Sequence, residues 1–276
     1  MNNTLRKVLT STGLSRRIYC AAREEYHARR VSRGAERYFL NADQFRYALR
    51  AHGVTEPLEL RAKDGLRILI RPNYGDAMTI AEIFLDDCYG RKLPLSPNPI
   101  VIDVGGFIGD FALYAVKRLN ARRVIVCEPA PRNWALLLKN ISNNHYEDRI
   151  VPVNKAVTAN GESVMMDIDA PDEYQSMVSA HSGSEATTAV PGVSLGHLLG
   201  EHHIDAVDLL KMDVEGGEYA ILEGMPSEIF SRIRNIVFEY HDIEGGWAML
   251  ETTKRRLIQE GYNLHLHKGL AWATRS

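Results

Sequence analysis

Pro99-Ile100-Val101-Ile102-Asp103-Val104-Gly105-Gly106-Phe107-Ile108-Gly109-Asp110 is the stretch on which the reading of this chain turns. Ile100 to Ile102 is an unbroken apolar run after the proline-rich Pro94–Pro99 segment, which suits a strand covered on both faces of a parallel sheet. Gly105, Gly106 and Gly109 then allow a tight turn, and Phe111 to Leu119 reads as a buried helix. Strand, glycine turn and helix in that order bring main chain close to a ligand in doubly wound folds.

Asp103 narrows the ligand. A carboxylate two residues before the first glycine repels the pyrophosphate of a dinucleotide. S-adenosylmethionine has no phosphate and carries sulfonium and ammonium cations that the same carboxylate attracts. Glu128 stands 23 residues after Gly105, at the end of the next apolar run, Arg123 to Glu128. An acid there accepts hydrogen bonds from both ribose hydroxyls of an adenosine cofactor. Ala156, just past a third short strand at Ile150 to Val153, is small enough to line an adenine pocket, with Asn154 beside it.

Outward from this centre, the chain alternates strand and helix. Pro129-Ala130-Pro131 opens a helix, since proline at a helix start removes an N–H that has no partner anyway. Ala156 to Asp169 reads as a hairpin turning at Asn160-Gly161, residues 170–192 as a polar loop, and Val193 to Leu199 as a short helix. Val207 to Asp213 and Asn235 to His241 are the fourth and fifth sheet strands, Trp247 to Glu260 is a helix closed by Gly261, and 262–274 is a final hairpin around Lys268-Gly269. The alternation predicts an α/β fold: a parallel sheet with helices on both faces. The terminal hairpin adds one antiparallel strand near an edge.

Before position 98, residues 4–50 read as helices broken at Gly13 and Gly34, and Pro57 to Pro72 as a β-hairpin. Asp76 is the expected cap of a helix running to about Tyr89, ended by Gly90. The expected division is an N-terminal helical and hairpin extension, 1–97, and a cofactor-binding domain, 98–276.

Lys211-Met212-Asp213-Val214-Glu215-Gly216-Gly217-Glu218 puts acids at the carboxyl end of the fourth strand, where ligands of open α/β sheets bind. Asp213 is placed to orient substrate or the cofactor amine, and Glu215 to touch substrate. Glu218 reads as a helix first-turn acid, and Lys211 as an internal partner for one of the acids. Glu239 and His241 end the neighbouring fifth strand, and histidine is a natural general base. Asp213, Glu215, Glu239 and His241 are therefore the candidate catalytic groups. No metal is expected, because Asp213, Glu239 and His241 lack a tight ligand spacing and the His265/His267 pair is only a shared strand face.

Composition fits this reading. Of the 276 residues 45% are hydrophobic and 25% charged, enough to build a full core. No apolar run approaches a membrane span, and the basic first residues lack the apolar core of a signal peptide. Cys20, Cys88 and Cys127 form neither a disulfide framework nor a Cys-x-x-Cys site, which points to a reducing, cytoplasmic setting. Residues 1–50 hold eleven Arg or Lys against four Asp or Glu, so with a net charge of −2 the remainder carries −9. Such asymmetry suits an anionic partner or membrane surface, a solvated face, or a face that docks on the acidic cofactor-binding domain; the extension is also the expected place of any homo-oligomer contact. A nucleic-acid partner is not expected, because no aromatic residues interleave with these arginines.

At these residues the chain resembles the FkbM family of S-adenosylmethionine-dependent methyltransferases. The matching residues are Ile102 to Gly109, Cys127-Glu128-Pro129, Leu138 and Asn140, Phe238-Glu239, and above all Leu210 to Glu218. Tyr74-Gly75-Asp76 stands where the family has a Gly-Thr-Ser-Asp-like turn, and Gly106-Phe107 where it commonly has Ala-Asn. The resemblance implies the class I methyltransferase fold, a seven-stranded sheet, and O-methylation of a hydroxyl on a sugar, polyketide or other natural product. Two other readings share the strand–turn–helix: a nicotinamide-dependent oxidoreductase, opposed by Asp103 and the terminal hairpin, and a non-catalytic binding protein of the same fold.

Overall fold

The computed structural model describes residues 31–51, 54, 56–90, 93–167, 187–240, 246–267 and 269–275. The chain groups into two compact units, Met1–Leu66 with Ile70–Asp86, and Arg67–Leu69 with Asp87–Ser276.

In the first unit, residues 31–38 are helical, followed by α1 (Ala42–Ala48) and β1 (Leu58–Arg61); β2 (Arg67–Ile70) has its residues 67–69 in the second. Gly34 does not break the helix. It lies within it, where a Cβ would press on Leu85 at 3.2 Å. The next helix, α2 (Tyr74–Ile80), runs on as a π-helical turn, Ala81–Leu85, and stops well before Gly90. Its cap is Asn73, whose side chain accepts the Asp76 N–H at 2.7 Å. Asp76 is buried and turns back to accept the Arg71 N–H at 2.9 Å and to pair with the Arg71 guanidinium at 3.0 Å. Gly90 instead leaves room for the Tyr114 hydroxyl, which donates to Asp87.

The second unit is built on β3 (Ile100–Val104), α3 (Asp110–Arg118), β4 (Arg123–Cys127), α4 (Pro131–Asn143) and β5 (Ile150–Val153). After β5 come the short strands β6 (Ala156–Val157), β7 (Val164–Asp167), β8 (Thr187–Val190) and β9 (Gly192–Val193), then α5 (Leu195–Glu201). The chain closes with β10 (Leu209–Met212), α6 (Glu218–Gly224), α7 (Ser227–Ser231), β11 (Asn235–Glu239), α8 (Gly246–Gln259), β12 (Asn263–His267) and β13 (Leu270–Thr274).

The main sheet has seven strands in the order β12-β13-β11-β10-β3-β4-β5. All neighbours from β11 to β5 are parallel, and β13 alone runs against both β11 and β12. Ile100, Ile102 and Val104 enter one core with residues of α5, α6 and α8. By the two-residue period of a strand, Val101 and Asp103 face the opposite side, that of α3. Every residue of β3 is buried, as the apolar run required.

Two local readings are corrected. Residues 156–169 do not form a hairpin: β6 pairs in parallel with β9, while β7 pairs antiparallel with β8. The turn at Asn160-Gly161 exists, closed by the Thr158 hydroxyl accepting the Gly161 N–H at 3.0 Å, but the strands on either side find different partners. Residues 187–190 and Gly192 are therefore strand where the polar composition suggested loop, and Val193 is strand where the short helix was expected to begin; 168–186 lie outside the described residues.

Candidate active site

Strand order reverses direction between β3 and β10: β4 and β5 follow on one side, β11 on the other. In open α/β sheets ligands bind in the crevice beyond the strand ends at such a reversal. Both marked sequence blocks lie here. Gly105 takes φ +80°, and a Cβ on it would overlap the carbonyl oxygen of Asp213. Gly109 takes φ +84° at the start of α3. The N–H groups of Gly105 and Gly106 donate to the Cys127 carbonyl at 3.1 and 2.9 Å, joining the turn to the end of β4.

Glu128 is buried directly against this turn. One carboxylate oxygen accepts the Phe107 N–H and the other the Ala130 N–H, each at 2.8 Å. Burial pushes its pKa up to about 7, against the lowering effect of those two donors and Asn133. Asn154 donates to the Glu128 carbonyl at 2.8 Å, and Ala156 is buried with Ala130, Met166 and Val190. The acid and the small residue of the adenosine reading therefore stand just past the ends of two neighbouring strands, β4 and β5.

Beneath the turn lies a cluster that sequence reasoning caught only in part. Lys211 faces Asp103 across β10 and β3 in register, and its Nζ is 3.2 Å from Asp103 Oδ1. The same ammonium donates to the Gly105 carbonyl at 2.8 Å and stands 4.0 Å from Asp213 Oδ2. The Tyr89 and Phe111 ring centroids lie 5.9 and 5.8 Å from it. Asp110, the first residue of α3, is buried too; one oxygen accepts the Phe111 N–H at 2.8 Å, and Oδ2 has no hydrogen-bond partner among the described residues. Burial raises Asp103 to about 6 and Asp110 to about 7, Lys211 opposing both. Burial on its own would lower the Lys211 pKa; Asp103, Asp213 and Asp110 together hold it above the ordinary lysine value. One cation and three carboxylates leave a surplus of negative charge at the crevice.

The 214–218 turn is fixed by Glu218, which is fully buried. Its carboxylate accepts the Val214 and Gly216 N–H groups at 2.7 and 2.9 Å. Glu215 between them is held at φ +54°, a left-handed conformation that costs a non-glycine residue about 1 kcal/mol or more. Glu239 is half-buried at the end of β11, next to β10. His241 lies outside the described residues. Among the described residues, no three His, Cys, Asp or Glu side chains are grouped to share a metal ion. His265 and His267 share an exposed face of β12, their ring centroids 6.5 Å apart.

Asp110 is the group that sequence reasoning passed over. Its position after Gly109 marks it as a helix start, and nothing local shows that it faces the lysine of a strand about a hundred residues away.

A seven-stranded sheet of this order, with its lone antiparallel strand next to the last position and helices on both faces, is the class I methyltransferase fold. The chain matches the methyltransferase FkbM domain over residues 103–264, more than half its length, and belongs to that family; it is a methyltransferase. It is 31% identical over 204 residues to the 31-O-demethyl-FK506 methyltransferase FkbM of Streptomyces tacrolimicus, covering 63% of this chain and 78% of that one. To Methyltransferase 1 of Beauveria bassiana it is 28% identical over 199 residues, 66% of this chain and 78% of that one. The crystal structure of methyltransferase FkbM from Methylobacillus flagellatus KT superposes with a TM-score of 0.48 at 19% identity, over 67% of this chain and 46% of that one. No helix among the described residues is long and apolar enough to cross a membrane.

Proposed function

We propose that this methyltransferase uses S-adenosylmethionine and methylates a hydroxyl of a sugar, polyketide or other natural-product-like small molecule. The observation that carries the donor assignment is the charge at the crevice: Asp103, Asp110 and Asp213 around the single cation of Lys211. Such a surplus suits a ligand with cationic groups and opposes a phosphate. The substrate named for the Streptomyces relative, a 31-O-demethyl compound, supports oxygen as the accepting atom.

In this reading 98–276 is the domain that holds the donor. Glu128 takes the ribose hydroxyls with the acceptor capacity that its two oxygens keep beyond Phe107 N–H, Ala130 N–H and Asn133. Gly105, Gly106 and Gly109 allow main chain to come close, Ala156 lies on the adenine side, and Asp213 faces the cationic end with the charge of Asp103 beneath it. S-adenosylmethionine supplies, when bound, a methyl group on an already activated sulfonium. The chain's own task is to align the acceptor hydroxyl, exclude water and take up the hydroxyl proton. Glu215, held by Glu218, contacts the acceptor, and Asp213, Glu239 or His241 takes the proton.

Calorimetry with S-adenosylmethionine tests the reading. Micromolar binding is expected, weakened at least tenfold in Glu128→Ala. Failure of the wild-type chain to bind either S-adenosylmethionine or its demethylated product overturns it.

A further inference from the structure

Among the described residues, Lys211 is the one lysine or arginine that is buried as a whole side chain. Its strand neighbours Leu209, Leu210 and Met212 are apolar, and an aliphatic residue would satisfy the parallel sheet at far lower desolvation cost. What the ammonium does and a methyl group cannot is to reach three groups of the crevice at once. It holds the carbonyl of Gly105, whose own N–H is held by the Cys127 carbonyl. It pairs with Asp103 under the turn, and it stands 4.0 Å from Asp213, whose main-chain oxygen abuts the Cα of Gly105. Gly105 is thus anchored on both sides, to β4 through its N–H and to β10 through its C=O.

We propose that Lys211 is a positioning residue for the methyl donor: its ammonium ties the glycine turn of β3 to the end of β10 and sets the place of Asp213. The inference rests on the assignment of S-adenosylmethionine as donor. It differs from a role in stability alone, because the same fold without the tie keeps its sheet and loses the geometry of the turn.

The test separates the two. Lys211→Met leaves three carboxylates without their cation, and removing one of them offsets part of that loss, so Lys211→Met/Asp110→Asn is made beside Asp110→Asn. Asp110 is chosen because it faces the same ammonium; the loss of its own charge acts on donor binding in both Asp110 variants, so the comparison between them isolates Lys211. Thermal unfolding and calorimetric binding of S-adenosylmethionine are measured on each protein. The expected result is a double variant that melts within a few degrees of the wild type yet binds the donor at least tenfold more weakly than Asp110→Asn. Equal affinity of the double variant and Asp110→Asn overturns the proposal. So does an affinity that recovers in step with the melting temperature from Lys211→Met to the double variant. A wild-type chain that does not bind the donor refutes the donor assignment instead.

Discussion

Replacing Asp110 by Asn removes one buried negative charge while keeping the oxygen that accepts the Phe111 N–H at 2.8 Å. The amide nitrogen takes the place of Oδ2, an atom with no hydrogen-bond partner among the described residues. Burial moves the Asp110 pKa from 3.8 to about 7, so the folded chain binds a proton there that the unfolded chain has already lost. Stability of the wild type therefore falls as pH rises through this window, and the deficit is complete above pH about 7. At about 1.4 kcal/mol for each tenfold change in proton affinity, the ceiling is ~4 kcal/mol. That shift is already net of the attraction to Lys211, which lowers it, so Asp110→Asn is expected to be more stable than wild type by roughly 2–4 kcal/mol at pH 8 and by almost nothing below pH about 4. For a chain of this size that is a rise in melting temperature of roughly 5–10 °C. Asp103 and Glu128, also raised by burial, titrate in both proteins and largely cancel in the difference. The assay is thermal unfolding of both proteins at pH 4 and pH 8 without donor. A gain of equal size at both pH values refutes the charge argument, and a loss at both shows that Oδ2 has a partner worth more than its desolvation.

Backbone geometry carries two more expectations. Gly105→Ala must displace the Asp213 carbonyl and is expected to cost more than ~3 kcal/mol, whereas Gly65→Ala, at φ +92° with open space around it, should cost only about 1 kcal/mol; similar losses for the two in chemical denaturation would contradict the close approach. Phe107 sits at φ +47°, so Phe107→Asn, which puts at that position the residue common in the family, should relieve strain and raise stability by about 1 kcal/mol; a lower melting temperature would show that packing of the ring outweighs the strain.

Much of the architecture is legible from local pattern. The run Ile100-Val101-Ile102 and the later Arg123 to Cys127 announce strands covered on both faces, because burial on both sides removes the alternation of a half-exposed strand. The terminal hairpin is legible from its turn at Lys268-Gly269, and its antiparallel place in the sheet follows from topology. Local pattern fails where the partner is remote. Residues on either side of Asn160-Gly161 look like two arms of a hairpin, and each pairs instead with a strand beyond residue 186.

The candidate site divides the same way. Local sequence is enough to say which residue types stand at the strand ends: Asp103 and the glycines after β3, Glu128 after β4, the acids 213–218 after β10. What those groups meet is a matter of tertiary pairing, since the register between β3 and β10 joins segments about a hundred residues apart in the chain. That register places Lys211 opposite Asp103, brings Asp110 to the same ammonium, and lays the Gly105 carbonyl on it. The affinity of Asp103 and Asp110 for a proton then depends on burial and on that one cation. Neither exists until the sheet has closed over them.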